Sequence, residues 1–587
     1  MCGIAGLIGK GEVYEDLVNY LKKLEYRGYD SAGIATVEYN GEISVVKKVG
    51  EVKNLENAEN RGGGKIGIAH TRWATHGRPS EANAHPHISE KGEWAAVHNG
   101  IIENYAEIKN SELVGVKFKS QTDSEVIPNL FEKYAVFGSV KGVAKALKLL
   151  KGSYAIAAVR KGGDEIITAA KKSPLFVGFT DRGVATASDP AIFSGGGDVF
   201  ELLNGEICVL NSHGFKFYNR DGERTDKSPM RLDIDDLSDD LNGYEHFMRK
   251  EIAEIPSVIE RISSYYTKER LEELFAKAIV SSFNDIVVIG CGTAYNAACY
   301  GKEVLTANLR INARAVAASE FLYGNDIVTD KTLVIAVSQS GETADTLGAV
   351  KSAMKQGAFS IAVTNVRYSA LARISDIVLP VCAGREVAVA STKAYVAQIC
   401  TLYVLAKFLS GKSFDVSALG AVASALEKGN YTAVTDACVT AKRLFILGRG
   451  LDYYLAEESA LKIKEVAYLN ANAYMAGELK HGFIALIDEN STVVLYCTQK
   501  KTFSKCLSAM EEVVARGAKV VLITPFEPDD SVKDKISVIV KIPDTKSDEL
   551  NPVAAVIPWQ ITSYNAALHF GYNPDKPRNL AKSVTVE

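Results

Sequence analysis

A cysteine at position 2 is the residue whose type and place most invite chemistry. The chain opens Met1-Cys2-Gly3-Ile4-Ala5-Gly6. Removal of Met1, which a small second residue favours, is expected to leave Cys2 at the N-terminus. Its free α-amine, with a pKa of roughly 7.7–8.0, would then lie close to the thiol at ~8.5, and can take the thiol proton directly or through a water. A nucleophile of this kind suits amide hydrolysis, which also needs an oxyanion hole and a grip on the rest of the substrate. Suitable groups recur downstream: Arg27-Gly28-Tyr29-Asp30-Ser31-Ala32-Gly33, His70-Thr71-Arg72-Trp73-Ala74-Thr75-His76-Gly77, His98-Asn99-Gly100 and Thr122-Asp123-Ser124-Glu125. An Arg fork such as that of Arg72 binds a carboxylate bidentately, and Asp123 suits an ammonium.

In this order and spacing, the blocks resemble class II glutamine amidotransferase domains, which are N-terminal-nucleophile hydrolases. The resemblance implies that Cys2 attacks the side-chain amide of glutamine. The Asn99 side chain and the Gly100 N–H would hold the oxyanion; donors aimed where charge develops are worth about 3–4 kcal/mol each. Arg72 would take the α-carboxylate and Asp123 the α-ammonium, with Arg27, Thr75 and His76 supporting the pocket. Trp73 would gate a channel for the ammonia released.

The second half offers different chemistry. Ser338-Gln339-Ser340-Gly341-Glu342-Thr343 follows an apolar strand-like run and precedes a helix-like one. Its hydroxyls and the helix N-terminal amides make a phosphate cradle. Gly290-Cys291-Gly292 alone would also suit a dinucleotide fold, but Tyr295 breaks the G-x-G-x-x-G pattern. Lys462 and Glu465 are three apart in a helical stretch and share a face; His481 follows in Gly477-Glu478-Leu479-Lys480-His481-Gly482. The cradle, with Val389-Ala390-Ser391-Thr392-Lys393, resembles the sugar-isomerase (SIS) family, which binds phosphosugars. Thr293, Ser338, Gln339, Ser340, Thr343 and Ser391 are its implied sugar-phosphate ligands. Ala294 stands where relatives usually carry Ser.

Down to the tail Arg578–Glu587, the whole chain resembles amidotransferases that aminate and isomerise a ketose phosphate. This implies fructose 6-phosphate as acceptor, with its ring opened by His481 and a Schiff base at Lys582. Glu465 would carry the proton between carbons 2 and 1, assisted by Lys462. Glucosamine 6-phosphate and glutamate would result, as a step of amino sugar biosynthesis. No cofactor and no metal are implied; His85 and His87 could ligate a metal, but no third ligand is apparent. A homodimer through the SIS domains is implied, and His481 could serve its own or the neighbouring subunit. The alternatives are an amidotransferase for another ketose phosphate, and a phosphosugar-sensing regulator with residual glutaminase. Retention of Glu465, His481 and Lys582 argues against the regulator, since a binding module needs no acid–base pair.

The elements that must position these groups differ between the two halves. Short β-rich runs such as Ile43–Val46, Trp94–Val97 and Ala155–Val159 fill the first part, with helical patterns at Val13–Leu24 and Ser139–Leu150. This mixture suits the αββα sandwich of the N-terminal-nucleophile hydrolases. An acid-rich run, Leu232–Leu241, reads as a linker. Beyond it, strands alternate with helices. Asp285–Gly292 parallels Arg443–Gly450, and Thr332–Ser338 parallels Thr492–Thr498, at an offset of about 158–160 residues. Two copies of one doubly wound unit follow.

The expected organisation is therefore α/β and multidomain: an amidotransferase domain over 2–225, a linker over 226–245, SIS domains over 246–425 and 426–574, and a tail over 575–587 contributing to the sugar site. The 587 residues carry a net charge of −4 without a basic stripe, which excludes nucleic acid as an expected partner. The nine Cys show no C-x-x-C pair and no leader is apparent, which fits reduced thiols in a cytoplasm. The longest apolar stretch, Ala394–Leu409, is broken by Gln398 and Lys407 and falls short of the ~20 residues that span a bilayer.

Overall fold

The computed structural model describes residues 2–73, 77–193, 197–230, 240–276, 283–426 and 431–584. They fall into two compact units, Met1–Asp239 with Ala581–Val586, and Asp240–Leu580.

The first unit is built on two seven-stranded antiparallel sheets. In one, the opening strand Gly3–Gly9 lies between Ile66–Arg72 and Gly183–Ala187, with Ser31–Val37 beyond Ile66–Arg72. In the other, Trp94–Ile102 lies between His87–Ile88 and Gly152–Arg160. Period-2 alternation puts Ile4, Ile8 and Ile68 of one sheet and Val97, Ala155 and Ala157 of the other into a shared core. Outside the second sheet, helices Val126–Tyr134 and Val140–Leu149 bury Ile127, Leu130, Val143 and Leu147. Ser139 caps the latter helix by accepting from the Gly142 N–H. Helix Tyr14–Leu24 covers the first sheet, completing the αββα layers.

The first unit extends past the expected boundary at 225. Met230 bridges to Val199, and Lys227 pairs with Glu206 at 2.5 Å. Most of the acid-rich run lies outside the described residues.

The second unit contains two five-stranded parallel sheets. In chain order within each copy, the strands run 2-1-3-4-5: Asn312–Ala317, Asp285–Gly290, Thr332–Ser338, Phe359–Thr364 and Ile377–Pro380, then Ala471–Met475, Arg443–Gly448, Ser491–Tyr496, Lys519–Thr524 and Val538–Lys541. The repeat extends to backbone angles. Gly292 (φ 54°, ψ −125°) and Gly450 (φ 58°, ψ −127°) turn into helices Thr293–Leu309 and Leu451–Ala467, each 17 residues long. Those helices end on left-handed Arg310 and Tyr468. The copies share one core, in which Ala297 and Val304 join Leu455 and Ile463. The apolar stretch expected at Ala394–Leu409 is helix Lys393–Leu409, buried inside that core. Among the described residues no helix is long and apolar enough to cross a membrane.

Candidate active sites

Cys2 sits just before the strand Gly3–Gly9, whose first residues are pinned. The Gly3 N–H donates to Thr71 Oγ1 at 3.1 Å and the Ile4 N–H to Ser188 Oγ at 2.9 Å. The Cys2 thiol faces the Trp73 backbone: the Trp73 N–H donates to Sγ at 3.3 Å, and Sγ lies 3.6 Å from the Trp73 carbonyl. Burial pushes the thiol's pKa up, opposed by that N–H and by the Arg72 cation.

Asn99 lies beside the nucleophile with its amide orientation determined. Nδ2 donates to the Cys2 carbonyl at 2.8 Å, and Oδ1 is 3.0 Å from His70 Nε2. That nitrogen also lies 3.1 Å from the His98 carbonyl, which can only accept, so His70 carries its proton on Nε2. His70 is wholly buried; burial holds its pKa down to about 3, so the ring is a neutral donor. At Gly100, φ is +139°, and a Cβ would lie 2.2 Å from the Ser153 carbonyl oxygen, so only glycine fits this position beside the nucleophile.

Arg72 and Asp123 are both nearly buried. Arg72 donates to the Gly77 carbonyl at 3.2 Å. Asp123 accepts from the Ile102 N–H at 2.7 Å. Burial lowers the Arg72 pKa, while Cys2, Asp30 and Asp123 oppose the shift. Arg27 donates to Asp189 at 2.8 Å and to the Tyr26 hydroxyl. Thr75 and His76 lie outside the described residues.

The sequence argument gave His70 and His98 no role, although His70 stands two residues before Arg72 on one strand and so on its face. They belong to a buried histidine cluster. His70 and His85 have ring centroids 4.2 Å apart, and His85 and His87 4.5 Å. His98 accepts from Ser124 at 2.8 Å and donates to the Ser153 carbonyl. Burial lowers the pKa of all four rings.

In the second unit the loop expected to cradle phosphate lies at the end of strand Thr332–Ser338, beside the point where strand order reverses. Ser338 Oγ accepts from the Gly341 N–H at 3.0 Å and lies 3.4 Å from Thr343 Oγ1. Ser340 Oγ accepts from the Glu342 N–H at 3.2 Å. Thr343 stands at the N-cap of helix Ala344–Lys355 with no side-chain capping bond, leaving first-turn amides facing the cradle. Gln339 holds the loop, its carbonyl accepting from the Asn365 N–H.

Two further expected sugar ligands each donate to a carboxylate. Thr293 Oγ1 donates to Glu458 at 3.1 Å, and Ser391 Oγ donates to Glu386 at 2.9 Å. Glu386 also accepts from the Thr392 and Ala394 N–H groups, capping helix Lys393–Leu409.

Lys462 and Glu465 meet as their spacing implies, with Nζ and Oε2 2.5 Å apart. Lys462 is fully buried, not exposed, and a second carboxylate, Glu458, lies 3.5 Å from Nζ. Burial raises the Glu458 carboxyl to about 7. Burial lowers the Lys462 pKa, but the two carboxylates outweigh it and push the group up to about 12. His481 is exposed at the end of the turn Leu479–His481, which is anchored by the buried Leu479, and its ring makes no hydrogen bond among the described residues. Lys582 falls in the stretch that groups with the first unit. Among the described residues no cluster of three or more His, Cys, Asp or Glu could hold a metal ion.

A thiol flanked by an oriented amide and an Arg–Asp pair, followed by a paired parallel fold with a phosphate cradle, defines a glutamine amidotransferase joined to a double sugar-isomerase unit. The matching family models are the glutamine amidotransferase domain over 70–194 and the SIS domain over 279–407 and 439–570. A protein of Clostridium acetobutylicum named glutamine–fructose-6-phosphate aminotransferase (isomerizing) is 42% identical over 611 residues, covering 100% of both chains. One of the same name from Aquifex aeolicus is 41% identical over 600 residues, again covering 100% of both. Among solved structures, the C-terminal domain of glucosamine-fructose-6-phosphate aminotransferase from Francisella tularensis matches 57% of this chain and 99% of its own, with a TM-score of 0.52 and 32% identity. The chain belongs to the glutamine–fructose-6-phosphate aminotransferase (isomerizing) family.

Proposed function

We infer that the chain releases ammonia from glutamine and transfers it to fructose 6-phosphate with isomerisation, giving glucosamine 6-phosphate and glutamate. The observation that carries this reading is full-length identity of about two-fifths to enzymes of that name, together with a nucleophile, an oriented Asn99 and a serine-rich cradle in one chain.

Cys2 attacks the glutamine amide, and Asn99 and Gly100 stabilise the oxyanion. His70 keeps the Asn99 oxygen occupied so that the amide NH2 faces the nucleophile. Arg72 and Asp123 hold the amino-acid end. Ser338, Ser340, Thr343 and the first helical amides take the sugar phosphate. Glu465 moves the proton between carbons 2 and 1, and Lys462 stays cationic beside it. By resemblance, His481 opens the sugar ring and Lys582 forms the Schiff base; a homodimer and a cytoplasmic location belong to the same reading.

Product analysis with amide-labelled [15N]glutamine and fructose 6-phosphate tests it. Label is expected in glucosamine 6-phosphate. Cys2→Ala is expected to abolish glutamine-dependent product while sparing sugar binding. Unlabelled product, or glutaminase activity surviving in Cys2→Ala, would remove Cys2 from the mechanism.

A further inference from the structure

We propose that Glu458 is a positioning residue for the sugar reaction: gripped by two side chains of the first SIS domain, it holds the Lys462 ammonium in place beside Glu465. This rests on the reaction given above.

Glu458 is wholly buried on helix Leu451–Ala467, one turn before Lys462. Oε1 accepts from Thr293 Oγ1 at 3.1 Å, and Oε2 accepts from Asn296 Nδ2 at 2.8 Å. Thr293 and Asn296 are three apart in the first turn of helix Thr293–Leu309, so they share a face and present the positive end of that helix to the carboxylate. The carboxylate thus joins the two repeats at the residues that follow Gly290-Cys291-Gly292.

A buried ion is costly, and an apolar side chain of similar size would pack the same space without that cost. Pairing alone does not explain Glu458, because Glu465 already lies 2.5 Å from Lys462 Nζ. But Glu465 is the group that gains and loses a proton in turnover. Whenever it is protonated, Lys462 would be left as an unpaired buried cation. Glu458 supplies a second counter-charge, and protonation of Glu465 removes the repulsion that helps raise the Glu458 carboxyl, so Glu458 ionises more readily when Glu465 is neutral. The groups facing this cluster are few. Glu386, ahead of helix Lys393–Leu409, also acts on Lys462. Tyr395 of that helix and Tyr496 at the end of strand Ser491–Tyr496 face Glu458.

Glu458→Gln keeps the shape and one acceptor, which can still take the Asn296 amide, while its NH2 can donate to the Thr293 hydroxyl; the charge is removed. In the full chain with glutamine and fructose 6-phosphate, kcat is expected to fall roughly 10- to 100-fold, with KM for the sugar within about twofold. The alkaline limb of kcat should move down by about one pH unit, since Lys462 loses an anion that favours its charged form. A merely structural role would not move that limb. Unchanged kcat and limb overturn the proposal, as does a raised KM with kcat intact. Should Glu458→Gln not fold, Asn296→Ala leaves the charge and removes one grip. Its kcat is expected to fall about three- to tenfold, and an unchanged kcat overturns the proposal. Failure of the reaction itself shows in the native protein, as no product from fructose 6-phosphate. Thermal unfolding of native and Glu458→Gln protein from pH 8 to 11 then decides, because loss of the counter-charge must move alkaline destabilisation to lower pH.

Discussion

In the first SIS domain the opening strand turns through Gly292 and reaches Ala294; in the second, the same turn through Gly450 reaches Asp452. The positions correspond closely. A Cβ on Gly290 would lie 2.6 Å from the Ala294 backbone, and one on Gly448 2.3 Å from that of Asp452. Asp452 is fully buried, accepts from the Thr498 N–H at 3.0 Å and also bonds the Thr498 hydroxyl. Thr498 is the counterpart of Ser338, the first hydroxyl of the cradle. The second copy therefore fills its own crevice with a carboxylate, where the first carries Ala294 and the hydroxyls of Ser338 and Thr343. With Lys500-Lys501 in place of Ser340-Gly341, this carboxylate makes the second crevice part of the core, while the second copy's helix carries Glu458, Lys462 and Glu465.

If that division holds, the largest effect lies in the second copy's helix. Lys462→Met leaves Glu458 and Glu465 facing each other, and breaking a buried ion pair in this way costs about 3–5 kcal/mol. Product formation should fall below detection in a coupled assay, with a lower melting temperature and glutaminase retained. Residual turnover within tenfold of native would separate Lys462 from the chemistry.

Ala294→Asp copies the second repeat's carboxylate into the first. The sugar-phosphate KM should rise about 100-fold or more, because two anions would compete for one set of donors. Glutaminase should be unchanged. An unaltered KM would show that the two crevices are not equivalent.

The buried ionisable groups also set opposite pH dependences. In the first unit His70, His85, His87 and His98 have depressed pKa values. Their contribution is complete above about 6.5 and is lost as pH falls, for His70 towards about 3. In the second unit the Asp452 carboxyl is raised to about 6 by burial, so its contribution is complete below the ordinary Asp range and is lost as pH rises through about 6. Calorimetry at pH 4.5 and 7.5 should show acid destabilising the first unit more than the second. Equal sensitivity of both units would contradict the neutral-histidine assignment.

The smallest effect is expected from Asp452→Asn, which keeps the acceptor for Thr498 and removes the charge. The loss of stability on passing from pH 4 to 8 should shrink by on the order of 2–3 kcal/mol, leaving the part due to Glu458. A variant that retained that slope would place the titration elsewhere.

Much of this was legible in the sequence because it is local. The Cys2 opening, Asn99-Gly100 and the Ser338–Thr343 cradle are runs of neighbours whose backbone geometry and chemistry travel together. The repeat was visible from strand spacing alone, and the structure extends it to matching turns and helix lengths. The protein partners of Thr293 and Ser391 were not legible, since a hydroxyl's partner cannot be read from its own neighbourhood. Each hydroxyl donates to a carboxylate, and for Thr293 that is Glu458, from the other repeat.

By itself, then, the sequence determined the order of domains, the doubled α/β unit and the class of substrates, because each is written in contiguous motifs or in a fixed period. Tertiary structure alone decided the charge states and the partners. It set the His70 proton on Nε2, the carboxylate filling the second crevice, and the position of Lys462 between two carboxylates. Those depend on desolvation and on contacts between elements distant in the chain, and hydrogen-bond direction and proton affinity respond to what surrounds a group in space.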